Sequence, residues 1–352
     1  MIKKLLIGSI LISFFNCQNK KEINPNNQKI QFDYAKHLSI SENDSTFVIE
    51  ANGNKTILTK TDLPFTSIVA ENSAAIAYLN ELEALNAIKG VVDANYIYNE
   101  NIKQKIANKS VLEVGNNSEL FLETILKLKP QLVIGNSNPA FAKFHQQLEN
   151  NGIKVLYIDE YKENNPLGRL EYLKLFGLLV NKEDLAEKQV EKIANNYDSI
   201  KQIIQTNGKG NVKTLLNTMY GDIWYLPTGN LLQAKIIDDA KGNYIFKQNT
   251  GDASLNLTFE EVYLQGKNAN YWLNTNFSSL NQIKASNPNY IWFNAYKLGN
   301  VYNPDKRSTT NGAMDYYEQG IIRPDIILND LGKIFYPELF PNYELYFYRQ
   351  LK

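Results

Sequence analysis

The chain has 352 residues, and its 37 Lys+Arg balance 37 Asp+Glu to a formal net charge of zero. Without a concentrated positive field it is not a general nucleic-acid binder. At 43% hydrophobic and 12% aromatic residues it can bury a large core, its length favours two domains or lobes, and its composition excludes a disordered chain.

The N-terminus carries Lys3 and Lys4, an apolar run from Leu5 to Phe15, and then Cys17. That run is too short to span a bilayer and has the layout of a secretory signal. One reading is an ordinary signal peptide with an incidental cysteine. The preferred reading is a bacterial lipoprotein signal, residues 1–16, with Cys17 as the diacylated first residue of the mature chain. Phe15-Asn16 departs from the small residue usual before such a cysteine, yet the sole cysteine lies where a lipobox needs it. Residues 17–30, rich in Asn and Lys, read as a flexible tether.

Residues 31–62 alternate over His37–Ile40 and Thr46–Glu50 and are broken by Glu42-Asn43-Asp44-Ser45 and Asn52-Gly53-Asn54, which predicts an antiparallel hairpin or meander. From residue 63 to 166, short apolar runs (67–70, 87–92, 131–134, 154–158) alternate with helical periodicity (73–85, 118–128, 140–150). That rhythm predicts a mostly parallel sheet covered by helices. Residues 167–208 show only helical spacing, and 182–206 alone would make roughly 37 Å of helix. A second alternating α/β region fills 209–352. The run Ile125–Ile134 is echoed by Ile283–Trp292, where a helix end passes through Pro130 or Pro288 toward an expected buried strand.

Chemistry-bearing motifs are scarce. No strand leads into a Gly-x-Gly-x-x-Gly turn, and P-loop, Gly-x-Ser-x-Gly and His-Glu-x-x-His patterns are absent. One cysteine excludes an intrachain disulfide and a Cys-rich zinc framework, and two histidines, His37 and His145, argue against a histidine-rich metal site; no metal or cofactor is expected. His145 lies in a polar helical stretch and reads as a solvated surface residue. Glu260-Glu261 and Asp238-Asp239 are adjacent pairs whose side chains face different ways. Only Arg169, Arg307, Arg323 and Arg349 are arginine, whereas Asn occurs 46 times, a bias an AT-rich genome produces. Each guanidinium fork makes paired hydrogen bonds that lysine cannot copy.

The ordered run Ile68–Ile76, Gly90-Val91-Val92, Val114-Gly115, Leu122–Ile134, Gly152–Asp159, Pro166-Leu167-Gly168-Arg169 and Phe176–Leu179 resembles the iron-siderophore and vitamin B12 class (class III) of periplasmic substrate-binding proteins of ABC importers. Ile223–Gly229, Asp239–Gly242 and Arg323–Asp330 resemble its second lobe more loosely. The similarity covers roughly residues 65–352. It implies an α/β fold of two Rossmann-like lobes joined by a single long helix, with the ligand cleft between them.

The resemblance implies a non-enzymatic, monomeric, lipid-anchored solute-binding protein in the periplasm, its membrane face left open. It would carry an iron chelate, haem or corrinoid to the permease subunits of an ABC importer. A surface or periplasmic carboxylate-dependent hydrolase on a similar scaffold is the alternative, and a ligand-free structural module a third reading. Expected cleft residues are Asn72 and Ser73 at the first turn (where the family's Pro-Ser is replaced), Tyr96, Trp224, Tyr225 and Tyr296 as aromatic walls, and Arg307 as the cation. Trp224 and Tyr225 could equally pack in the core, and Arg307 could be a solvated loop charge. Arg323 is assigned to structure. The family's permease-docking glutamates match Glu123 and Glu260, with Glu261 an adjacent rival; either could instead help cap its own helix.

Overall fold

The computed structural model describes residues 28–352; the signal peptide, Cys17 and most of the expected tether lie outside the described residues. Residues 28–62 form a four-stranded antiparallel sheet of Gln28–Ile30, Leu38–Glu42, Thr46–Ala51 and Asn54–Thr59 in that order. The first of these strands lies within the stretch expected as tether. Asn52 and Gly53 turn the chain with φ of 51° and 83°, the left-handed pair a two-residue hairpin demands. Alternation along Thr46–Ala51 buries Phe47, Ile49 and Ala51.

The first lobe has a five-stranded all-parallel sheet in the order Leu112–Glu113, Ile88–Val91, Ile68–Ala70, Leu132–Gly135, Lys154–Tyr157. The central three strands are buried on both faces, as parallel strands between helices must be. The chain runs outward from Ile68–Ala70 to one edge, returns, and then runs to the other. The topological switch point therefore falls between Ile68–Ala70 and Leu132–Gly135, where such sheets open a crevice at their carboxyl ends.

The second lobe repeats the plan in the order Gly242–Tyr244, Val212–Leu216, Tyr271–Leu273, Val301–Asn303, Arg349–Gln350, with only the last strand antiparallel. A small antiparallel sheet of Met219–Tyr220, Ile223–Leu226 and Leu255–Leu257 sits beside it. The second switch point lies between Val212–Leu216 and Tyr271–Leu273, beside Asn217. Residues 288–292, expected as a strand, form a 3-10 turn instead. Pro288 occupies its first turn and the Asn287 side chain accepts from Asn289 N at 3.0 Å, so this helix end leads into a second helical turn. Its counterpart leaves Lys129 in the left-handed region and enters a true strand.

The helical region is two helices, not one. Pro166–Val180 starts with proline in its first turn, is capped by Asn165 and is buried almost all round; it ends at Asn181, whose φ of 56° breaks the helix. Glu183–Asn207 then buries Ala186, Val190, Ile193, Ala194, Tyr197 and Ile204, one face at helical spacing. It packs against Pro166–Val180 on one side and against Pro324–Phe335 of the second lobe on the other. Gly177 makes the first contact tight, because a Cβ there would lie 2.7 Å from the Ala186 Cβ. Gly177→Val is expected to cost about 1–3 kcal/mol through overpacking, read as a lower denaturation midpoint with an unchanged slope.

Candidate functional site

Between the lobes lies a cavity of about 430 Å³ whose wall includes Glu160, Tyr161 and Arg169 from the first lobe and its exit helix, and Asn217, Tyr225, Tyr316 and Tyr317 from the second. Its volume falls in the usual range for small-molecule sites. The second switch point faces it through Asn217, whereas the residues that follow the first, Glu71, Asn72, Asn136 and Ser137, do not line it. Asn217 follows directly on strand Val212–Leu216 with a φ of 57° and donates from Nδ2 to Tyr225 O at 2.9 Å. Glu160 follows strand Lys154–Tyr157 through Asp159.

Two wall residues carry buried polar atoms with no hydrogen-bond partner among the described residues: Arg169 Nε and Glu160 Oε2. Arg169 is held in place, since its Nη2 donates to Tyr161 O at 2.8 Å and its own carbonyl accepts from Tyr78 OH at 2.6 Å. Tyr78 in turn stacks on Phe176 with ring centroids 4.6 Å apart. Burial raises the Glu160 carboxyl above its ordinary value, and the Arg169 charge partly counters it. A fixed cation and a buried acid thus face one space between tyrosine rings.

Of the expected cleft residues, Tyr225 lines this cavity, and Ser73 reaches its rim by donating from Oγ to Tyr317 O at 2.9 Å. Asn72 is occupied: it caps helix Ser73–Glu81 by accepting from Ala75 N and donates from Nδ2 to Asn136 Oδ1 at 2.6 Å. Tyr96 is 62% exposed on the first lobe, away from the wall. Tyr296 packs half-buried, its hydroxyl donating to Leu280 O at 3.3 Å.

Trp224 requires correction. It is fully buried, donates from Nε1 to Leu216 O at 3.0 Å and stacks on Trp272 at 5.8 Å. In strand Ile223–Leu226, residues 223 and 225 face out while 224 and 226 face the core, so alternation sends only one of the two neighbouring aromatics to the cleft. Arg307 is likewise outside the wall. Its Nε donates to Asp315 Oδ2 at 2.6 Å, and its guanidinium lies 4.4 Å from the Tyr346 ring and 5.6 Å from that of Tyr98. Arg323, assigned to structure, is paired through two 2.8 Å bonds to Asp325.

His145 overturns its reading as a surface residue. It is fully buried, with Nε2 at 2.9 and 3.1 Å from the two carboxylate oxygens of Glu71. That carboxylate sits directly over Gly135, where any Cβ would come within 2.0 Å of it. The signal was present: Phe141 and Leu148, one turn to either side, are also buried. Glu160, Arg169 and the Tyr316-Tyr317 pair were missed because long-range packing brings them together.

Glu123 and Glu260 are both exposed in the first turns of helices Leu122–Leu128 and Phe259–Gly266. Of the adjacent pair, Glu261 is the one that caps its helix. Glu261 closes a capping box, accepting from Thr258 N at 2.8 Å, which holds its carboxyl below the ordinary range. Glu260 makes no such bond.

The lobes meet directly at Glu318, only 4% exposed, which accepts from Tyr98 N at 2.9 Å and Asn99 N at 3.4 Å in the first lobe. Burial pushes its carboxyl up to about 7. A carboxyl raised in the folded state stabilises the fold while protonated, so its contribution is complete below pH 4.5 and is lost as pH rises through about 7. The span corresponds to about 3 kcal/mol. Glu318→Gln should flatten the stability profile between about pH 5 and pH 8 and melt above wild type at the alkaline end.

A family model described as periplasmic binding protein matches residues 68–307. The uncharacterized lipoprotein MJ0878 of Methanocaldococcus jannaschii is 28% identical over 297 residues, covering 82% of this chain and 69% of that protein. Among solved structures, the periplasmic heme binding protein HutB of Vibrio cholerae matches with a TM-score of 0.59 at 17% identity, covering 75% of this chain and 98% of that one. CeuE of Helicobacter pylori, in a Ni-His complex, matches with a TM-score of 0.63 at 15% identity, covering 85% and 91%.

Proposed function

Because the chain belongs to the periplasmic binding protein family, we propose that it is the lipid-anchored solute-binding component of an ABC importer and delivers an iron chelate, haem or corrinoid to the permease. The interlobe cavity carries this reading: it is walled by tyrosines and holds two polar side chains whose hydrogen-bonding capacity the protein leaves unmet. Unmet buried capacity is costly in a structural position and useful in a binding one. The relatives' lipoprotein and heme-binding names support the same reading for those proteins. A hydrolase would need a second carboxylate within reach, and Glu160 is the one Asp or Glu among the described residues of the wall.

Anchoring is assigned to Cys17 after removal of residues 1–16. Losing Lys3 and Lys4 with the signal leaves the mature chain slightly acidic. Cys17→Ser should release the protein from the membrane fraction and remove the lipid increment from its intact mass. A variant that stays with membranes at an unchanged mass excludes the anchor.

Permease docking is assigned to Glu123 and Glu260, one exposed glutamate on each lobe. Rim charges set encounter rate and register more than cleft affinity. The double variant Glu123→Lys with Glu260→Lys should keep ligand affinity and melting temperature while import and permease co-purification collapse. Lost ligand binding with a lowered melting temperature would instead make these residues structural.

A further inference from the structure

Residues 315–321 belong to the second lobe, lie against the first, and carry Tyr316, Tyr317, Gly320 and Ile321 into the wall of the interlobe cavity. They form only two 3-10 turns, Asp315–Tyr317 and Gln319–Ile321, so no long hydrogen-bond ladder holds them down. Their ties to the first lobe include Ser73 Oγ, which donates to Tyr317 O at 2.9 Å, and the Tyr98 and Asn99 N–H groups, which donate to Glu318. Arg307, paired with Asp315, adds its guanidinium 5.6 Å from the Tyr98 ring.

The Glu318 tie depends on a carboxyl that can gain or lose its charge. Both N–H groups meet a single oxygen, Oε2, so a protonated carboxyl can carry its hydrogen on Oε1 and keep both bonds. The cations around it are engaged elsewhere, Lys103 with Glu100 at 2.7 Å and Arg307 with Asp315 at 2.6 Å. Asp315, on the same segment, adds a like charge, and the Tyr98 and Tyr346 rings flank Arg307. The protonated form therefore suits the closed contact. An ionised carboxylate only 4% exposed, with no cation of its own among the described residues, does not. Burial accordingly holds this carboxyl up at about 7.

We propose that residues 315–321 are a pH-gated strap over the cavity, held shut on Tyr98 and Asn99 while Glu318 is protonated and loosened once it ionises. In the lifted state the carboxyl is solvated and returns to its ordinary value of 4.5. Between there and about pH 7 the closed strap keeps a proton that the lifted strap gives up. Opening therefore gains about tenfold per pH unit over that interval and levels off above it. As regulation of the cavity this rests on reading that cavity as the ligand site; the movement itself needs no ligand.

Glu318 is the only acceptor, among the described residues, of the Tyr98 and Asn99 N–H groups, so their hydrogen exchange reads the strap directly. Exchange is followed by NMR on the ligand-free mature chain from about pH 5 to about pH 8 and corrected for its intrinsic pH dependence. Wild-type protection of both amides should fall about a hundredfold over that range. It should also lie below that of the Ile193 and Ala194 amides in helix Glu183–Asn207 throughout, as a local opening requires. Glu318→Gln, whose carboxamide oxygen can take both N–H groups without a charge, should give the same protection at every pH. Ser73→Ala, which removes the other tie, should lower protection at every pH and keep the wild-type pH dependence. Flat wild-type protection, or protection equal to that of the core amides, overturns the strap. So does a pH dependence that survives in Glu318→Gln, which would belong to another group such as Asp315. If Glu318→Gln does not fold, the wild-type profile and Ser73→Ala decide. None of these outcomes touches the solute-binding reading, which titration with haem or a chelate tests on its own.

Discussion

Buried carboxylates that accept backbone N–H groups from distant segments hold this molecule together. Glu171, in helix Pro166–Val180, accepts from Asp33, Tyr34 and Ala35 N at 2.7–2.8 Å, and Glu163 accepts from Lys36 and His37 N. The two tie the segment entering the antiparallel sheet to the start of the helical region. Asp330 does the same at the other end, accepting from Tyr346, Phe347 and Tyr348 N and from the Tyr343 hydroxyl. Glu318 crosses from one lobe to the other. Burying a charge is costly, and several short charge-assisted bonds to one carboxylate, as at Glu171, offset it; Glu318, with one short bond and one of 3.4 Å, keeps a raised carboxyl instead. Such clasps fix a segment in one register, which a surface apolar contact does not. Of these clasps only Glu318 spans the two lobes, through Tyr98 N and Asn99 N.

The second lobe is organised around aromatic packing. Trp224 and Trp272 stack, and Tyr290 and Phe293 meet both edge-on or tilted at centroid distances between 5.1 and 5.8 Å. Both indoles donate to carbonyls at the end of strand Val212–Leu216: Trp224 to Leu216 O and Trp272 to Asn217 O. These bonds satisfy the indole N–H groups in a dry core. They also fix Asn217, and through it the backbone of Tyr225, against the cavity. An aromatic core thus sets the cleft wall without supplying its surface.

The alternating α/β rhythm, the helix over 183–207 and the meander were legible because each rests on local periodicity. Tyr225 was legible as a strand residue before a Pro-Gly turn. Its neighbour Trp224 was misplaced because apolar content alone does not reveal the phase of a strand; pairing with Leu255–Leu257 does. His145 was misread because its sequence neighbours are polar, while the residues one helical turn away are not. Residues 288–292 share their pattern with 130–134, yet Asn287 caps a helical turn there, and a side-chain cap outweighs apolar content over five residues. Arg169 and Glu160 are ordinary in sequence; only the return of Tyr316-Tyr317 from the far end of the chain makes a cavity between them.

The first lobe's switch point explains why the cavity is walled chiefly by the second lobe and the exit helix. A crevice at the carboxyl ends of Ile68–Ala70 and Leu132–Gly135 is where a ligand would ordinarily settle. Here the chain's own side chains occupy it. Glu71 turns inward over Gly135 to His145, Asn72 bonds Asn136, and Ser137 is held through its N–H and hydroxyl by the buried Asp159. Apart from His145 Nδ1, which is buried without a partner, these groups satisfy one another and offer little to a ligand. The unmet polar groups that belong to residues of the cavity wall lie one strand further along, at Glu160, and on the first turn of the exit helix, at Arg169. Polar satisfaction, more than the shape of the fold, decides where along the cleft a ligand has something to bind.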